Sequence, residues 1–234
     1  MKSEKLSIII PTFNEEKIIK KVIQDWIKVT KKINSKIIVI NDGSTDQTLR
    51  ILKKINYKKL IILNQKNAGH GPALLKGYNY ALKTKTDYIF QVDSDNQFFA
   101  SDFKKFWKNR KNYDLVLGFR KKRFDDNIRL IITKICRYLI LLVFGSYIQD
   151  ANVPYRLMKK KFLIYSFKNF NLKVNVVNIF LSIIASKKGF KIKSINVKHK
   201  KRLTGTVWIV SYKLFLFCIE SLFNILWLRF KLLF

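Results

Sequence analysis

Two carboxylates two positions apart, Asp93 and Asp95, follow directly on the run DYIFQV. In extended chain, side chains at i and i+2 point the same way, so Asp93-Ser94-Asp95 presents both acids together at a strand end. Paired like charges are costly without a cation. Hard divalent ions such as Mg²⁺ or Mn²⁺ take oxygen ligands and are commonly shared with substrate phosphates. A plain polar turn is the other reading of the tripeptide, but it has company upstream. Ile10-Pro11-Thr12-Phe13-Asn14-Glu15-Glu16 closes one apolar run, and Asn41-Asp42-Gly43-Ser44-Thr45-Asp46 closes the next. Both open helical patterns, where backbone N–H groups and short acids can hold a base and phosphates. Asn67-Ala68-Gly69-His70-Gly71-Pro72-Ala73 opens another helix. It lacks the third glycine of a dinucleotide fingerprint and the Gly-Lys-Ser/Thr of a P-loop, which excludes both.

The elements that must carry these turns alternate from Leu6 to Gly118. They read as LSIII, a helix from Glu15 to Thr30, KIIVI, a helix from about Thr45, LIIL, a helix from Gly71 to Lys83, DYIFQV and YDLVLG. Strands alternating with helices imply an α/β fold, a mostly parallel sheet flanked by helices with ligands at the strand C-termini. No internal repeat and no Pro/Gly/Ser linker divides the chain. Its 234 residues, 48% of them hydrophobic, suit one main domain and an appendage.

Lys and Arg number 47 against 15 Asp and Glu, a formal charge of +32. The lysines are scattered through the chain, which speaks against a nucleic-acid interface. The charge still favours anionic surfaces such as phospholipid headgroups. Cys136 and Cys218 lie in apolar stretches without metal spacing and read as buried thiols in a reducing compartment. The opening MKSEKLSIIIPTF has too short an apolar run for a signal-peptide core.

Between Arg129 and Phe144, Arg129, Thr133, Lys134 and Arg137 share one side of an otherwise apolar helix. That is either a basic membrane-facing helix or an ordinary surface helix packed on the sheet. From Val207 to Leu228, Lys213, Glu220 and Asn224 form a narrow polar stripe on an apolar helix. Its uncharged part is short, and even Leu214 to Leu228, with Glu220 in the middle, rises only about 22 Å against a hydrocarbon core of about 30 Å. An in-plane or re-entrant membrane helix is expected, with burial in a homodimer as the alternative.

The motifs IPTFNEE, NDGSTD, NAGHGPA and VDSDNQ, in this order, resemble the inverting family-two nucleotide-sugar glycosyltransferases of the GT-A fold. Within that family the chain is most similar to the dolichol- or polyprenyl-phosphate sugar synthases, through LGFRKKRFDD, QDANVPYRLMKK and KHKKRLTGT as well. The resemblance implies a catalytic domain over residues 1–206 and a membrane-associated helix over 207–234. It implies Pro11, Phe13, Glu15 and Asp42 around the nucleoside, where an acid can accept an N–H of uracil or guanine. It assigns Asp93, Ser94 and Asp95 to the diphosphate and Gln97 to metal or sugar, the metal (Mg²⁺ or Mn²⁺) being held by Asp93, Asp95 and Gln97. Arg120 and Arg202 correspond to arginines aimed at donor and acceptor phosphates. Arg129 and His199 fall on the acceptor side. Where some synthases carry a Lys six residues after Arg202, this chain has Trp208, which implies either an acceptor phosphate held by His199, Lys200 or Lys201 or a different acceptor.

The implied reaction is one displacement at the anomeric carbon with inversion and loss of a nucleoside diphosphate. A lipid-phosphate acceptor needs no strong base, its second pKa being about 6. A sugar-hydroxyl acceptor, the rival reading, needs one. Asp150 is the candidate base, or else it organises Arg156 and its loop. The expected partners are a nucleotide sugar, a lipid phosphate, a membrane surface at the cytoplasmic face, bound peripherally or monotopically, and a second copy of the chain.

Overall fold

The computed structural model describes residues 4–122, 124, 127–170, 172, 174–201 and 211–233, with the side chains of Asn127, Arg129, 211–217 and Leu233 outside that description. In chain order the elements are β1 (Lys5–Thr12), α1 (Ile19–Thr30), β2 (Asn34–Asp42), α2 (Thr48–Lys53), β3 (Leu60–Gln65), α3 (His70–Leu82) and β4 (Tyr88–Val92). A 3₁₀ turn (Ala100–Asp102) leads into α4 (Phe103–Asn109), then β5 (Leu115–Phe119), α5 (Asn127–Phe144), β6 (Tyr155–Lys159), α6 (Lys160–Asn169), α7 (Val177–Lys187), β7 (Ile192–Asn196) and α8 (Ser211–Leu233).

The strands form one sheet in the order β3-β2-β1-β4-β6-β5-β7. Only β6 runs against its neighbours, pairing antiparallel with both β4 and β5. The central strands bury both faces. Ile8, Ile9, Ile10 and Ile37 to Ile40 are all fully buried, as expected of a parallel sheet covered by helices. Trp26 of α1 packs on one side against Phe90, at 5.1 Å between ring centroids, and Phe103, at 5.7 Å. Gly77 brings α3 close to the sheet, since a Cβ there would meet Ile9 at 2.6 Å and Ile40 at 2.7 Å.

The expected GT-A-type fold, a mostly parallel sheet flanked by helices, is what forms. The expected helices appear with shifted starts. Glu15 lies outside α1, in a turn whose carbonyl accepts from Ile18 and Ile19 N–H. The strands β6 and β7 lie in the half of the chain where sequence periodicity assigned none.

Two helices differ from their reading as wheels. On α5 the exposed side is mostly apolar: Ile128, Ile131, Ile135, Tyr138 and Leu142 are all more than half exposed, and of the expected basic face Lys134 is exposed with them. Arg137, assigned to the basic face, instead donates from Nη2 to the Gln149 carbonyl at 2.6 Å. The helix α8 lies against α5 and α7 and seats Ile225 and Leu228 in the core. Phe223 and Phe230 on α8 stay exposed. Glu220, mid-helix, accepts from Asn175 Nδ2 on both carboxylate oxygens, at 2.9 and 3.1 Å. Among the described residues no helix is long and apolar enough to cross a membrane.

Candidate active site

Because β1 and β2 pair in register, Thr12 beside Asn41, their two exit turns meet and are laced together. Asn14 takes a left-handed φ of 50°, which asparagine tolerates better than most residues. Its N–H donates to Ser44 Oγ at 3.0 Å, and its Oδ1 accepts from Thr45 N–H at 2.8 Å. Glu15 N–H donates to Thr48 Oγ1 at 2.8 Å, and Gln47 N–H to Glu16 at 2.9 Å. Gly43 is required twice over. Its φ is 70°, and a Cβ there would sit 2.5 Å from the backbone N of Asn67. That close approach brings in the third turn, which the buried Asp42 then fixes. Asp42 Oδ1 accepts from Gln65 Nε2 at 2.6 Å and Ala68 N–H at 3.0 Å, and Oδ2 accepts from Gly69 N–H at 2.8 Å. Pro11 and Glu15 are buried at this corner and Phe13 is half-buried.

The acidic pair sits where the sequence placed it, just past β4. Asp93 is 25% exposed at its side chain, and Ser94 is buried. Asn96, with φ 56°, turns the chain so that Gln97 N–H donates back to Asp95 Oδ1 at 3.0 Å. Gln97 then ties this turn to a distant segment. Its carbonyl accepts from Lys200 N–H at 2.8 Å and its Nε2 donates to the Lys200 carbonyl at 3.2 Å. Phe98 pairs with His199 in an antiparallel bridge. Beneath them Tyr155 stacks on Phe98, at 5.1 Å between centroids, and donates its hydroxyl to the Phe99 carbonyl at 3.0 Å.

Sequence reading passed over His70. Its Nε2 lies 3.0 Å from Asp93 Oδ1. Burial alone pulls the imidazole pKa down, but the carboxylates of Asp93, Asp95 and Asp42 outweigh it and raise the pKa above its ordinary value. One imidazole therefore senses Asp42, Asp93 and Asp95 together. The available signal was a histidine, one of two in the chain, inside the turn NAGHGPA.

On the other side of β4, the candidates divide. Arg120 and Asp150 form a buried two-pronged pair, Nε to Oδ2 at 2.7 Å and Nη2 to Oδ1 at 2.9 Å. Arg156 is fully buried and makes its bonds elsewhere: to the carbonyls of Ala151 (2.9 Å), Val153 (2.8 and 3.0 Å) and Asn178 (2.8 Å), and to Ser182 Oγ at 3.4 Å. Burial lowers its pKa to about 10, with Tyr78, Asp150 and Asp93 opposing. It pins the 151–153 loop to α7, and Asp150 is bonded to Arg120 rather than to Arg156. His199 is buried between Phe98 and Phe124. Lys200 lies 4.2 Å over the Phe99 ring, 3.2 Å from Asn96 Oδ1, and lines a cavity of about 240 Å³ together with Asp93, Trp26 and Phe99. Burial and Lys21 lower its pKa, Asp25 opposing. Lys201 is exposed. Arg202 and Trp208 lie outside the described residues, as does the side chain of Arg129.

Asp93 and Asp95 offer hard oxygens at a strand end, the donor chemistry a small divalent ion takes. Among the described residues no three acidic, histidine or cysteine side chains converge as a ready-made metal cluster. Such an ion would complete its shell from water and the oxygens of a bound diphosphate.

Known proteins resemble this chain in sequence and in fold. An uncharacterised protein of Methanocaldococcus jannaschii is 32% identical over 198 residues, covering 79% of this chain and 83% of its own. A dolichyl-phosphate beta-glucosyltransferase of Trichomonas vaginalis is 27% identical over 86% of this chain and 69% of its own. The crystal structure of glucosyl-3-phosphoglycerate synthase from Mycobacterium tuberculosis, in complex with Mn²⁺ and uridine-diphosphate-glucose, superposes with a TM-score of 0.71 at 17% identity. It covers 95% of this chain and 78% of that one, and so shares the fold. The model of glycosyl transferase family 2 matches residues 7–178, from the first strand through the acidic pair to the start of α7, and the chain belongs to that family.

Proposed function

We propose that this glycosyltransferase moves a sugar from a UDP- or GDP-sugar to a polyprenyl- or dolichyl-phosphate-type lipid, with inversion, at the cytoplasmic face of a membrane. The observation that carries the lipid acceptor is the outward apolar stripe of α5, Ile128 to Leu142, beside the exposed Phe223 and Phe230 of α8. A stripe this regular on a chain of net charge +32 suits an anionic lipid surface.

In this reading Pro11, Phe13 and Glu15 receive the nucleoside. Asp42 shapes the Ala68–Gly69 turn that faces it, and takes a base N–H alongside its protein donors. Asp93 and Asp95 hold Mg²⁺ or Mn²⁺, which supplies charge neutralisation to the leaving diphosphate. Gln97 fixes the acidic turn against the Lys200 segment, so donor and acceptor sides move as one. Lys200, beside Asp93 in the same cavity, attracts the acceptor phosphate. That phosphate is already largely ionised at pH 7 and attacks without help. The pairing of Asp150 with Arg120 supports this, because a carboxylate holding a guanidinium on both oxygens is badly placed to take a hydroxyl proton.

The test is transfer from a panel of labelled UDP- and GDP-sugars to a polyprenyl phosphate with Mg²⁺ or Mn²⁺, followed by organic extraction. Label in the organic phase is the expected result. Label only in water-soluble product would move the acceptor to a sugar hydroxyl or another soluble group. Sedimentation of the detergent-free protein with and without anionic vesicles separates membrane docking from the competing occupant of the stripe, a second copy of the chain.

A further inference from the structure

The donor corner contains a group that the reaction described above leaves idle. His70 Nε2 faces Asp93 Oδ1 at 3.0 Å, and since a carboxylate can only accept, the ring nitrogen must be the donor. This holds for the neutral Nε2–H tautomer and for the imidazolium alike.

The backbone on both sides of His70 is pinned. Gly69, at φ 93°, gives its N–H to Asp42 Oδ2 at 2.8 Å. Gly71 lies against the 174–175 backbone so closely that a Cβ there would stand 2.8 Å from the Val174 carbonyl and 2.9 Å from Asn175 Cα. Asn175 is in turn bonded to Glu220 of α8. His70 is therefore held on a rigid helix start while its ring, about half exposed, reaches the acid.

We propose that His70 is the positioning residue of Asp93. By donating to Oδ1 it fixes the carboxylate rotamer and leaves Oδ2 turned to the divalent ion. The proposal rests on the metal reading of Asp93 and Asp95. Hydrogen-bonding partners of metal-ligating carboxylates typically account for about 10–100-fold in metal affinity.

The experiment is a Mn²⁺ titration of the full chain in the presence of UDP, followed through the electron paramagnetic resonance signal of free Mn²⁺. His70→Ala should bind Mn²⁺ about 10–100-fold more weakly than wild type. His70→Gln, whose Nε2 can supply an N–H at a similar reach, should recover most of that loss. UDP binding in EDTA should be the same in all three. Wild-type Mn²⁺ affinity in His70→Ala overturns the positioning role while the metal reading stands. Equal weakening in His70→Ala and His70→Gln overturns it too, because the N–H would not be what matters. Weakened UDP binding in EDTA assigns His70 to the diphosphate directly and overturns it as well. An Asp95→Ala arm separates the two layers: if that variant binds Mn²⁺ like wild type, the metal lies elsewhere and both readings fall.

Discussion

Up to Gln97 the charged residues of the site stand in turns that follow parallel strands, and they line one edge of the sheet. Beyond Gly118 three residues of the same types, Arg120, Asp150 and Arg156, serve as internal fasteners. Asp93 bonds an imidazole at the open edge, with Asp95 near enough to raise its pKa, whereas Asp150 is spent on Arg120 and Arg156 on carbonyls of its own loop and α7, much as Asp42 is spent on the neighbouring turn. Apolar residues trade places in the opposite sense. Those of β1 and β2 are wholly buried, whereas α5 buries Ile140 and Phe144 but turns Ile128, Ile131, Ile135, Tyr138 and Leu142 to the surface. In the proposed reading Asp93 and Asp95, just past β4, carry chemistry, while the Arg120–Asp150 pair and Arg156 hold a long connection.

Asp95→Ala should break the donor half outright. Loss of a metal ligand ought to lower kcat by about 10³-fold or more, the equivalent of several kcal/mol of charge stabilisation. An unchanged melting temperature would show that only the chemistry was lost. Full transfer in excess chelator would remove the metal from the mechanism.

Arg156→Met probes the other half. Emptying a fully buried guanidinium site strands the carbonyls of Ala151, Val153 and Asn178, at a cost of about 3–5 kcal/mol. Thermal unfolding reads it, and a melting temperature within error of wild type would mean that the loop finds other donors. A smaller effect is expected from a double-mutant cycle on Arg120→Ala and Asp150→Ala, with a coupling of about 1–3 kcal/mol in stability. If Asp150→Asn instead keeps stability and loses only kcat, Asp150 belongs with the chemistry and the contrast between the halves blurs.

The exposed apolar stripe calls for point changes rather than truncation, because removing α8 would uncover Ile225 and Leu228. Leu142→Ser and Phe223→Ser should each weaken vesicle binding by about 1–2 kcal/mol, without altering nucleotide binding. The mildest test concerns Cys136, on α5. Burial, with Cys218 and Asp150 adding to it, pushes its thiol from an ordinary 9.0 up to about 11. At pH 8 its thiolate, and its alkylation by iodoacetamide, should be about a hundredfold scarcer than for a free thiol. Rapid labelling would show that α8 does not cover this side of α5.

How much of this was legible depends on range. The runs LSIII, KIIVI and DYIFQV are strands because β-branched residues buried on both faces leave no other pattern, and each ends in a polar turn that sequence alone places at the ligand edge. The place of Asp93 and Asp95 just past β4 needs only the strand run that precedes them. The strand β6 was hidden because Arg156 interrupts its apolar run, and only the carbonyls converging from the 151–153 loop and α7 make a buried guanidinium tolerable there. The outward face of α5 was hidden for a related reason. A helix rich in Ile and Leu has several apolar sides, and the one that turns inward is chosen by what α7 and α8 already occupy. His70 meets Asp93 across 23 positions of chain because β4 lies beside β1 and α3 packs back over β1 and β2. Local chemistry is written in the order of residues, whereas contacts between elements exist only once the sheet order has been set.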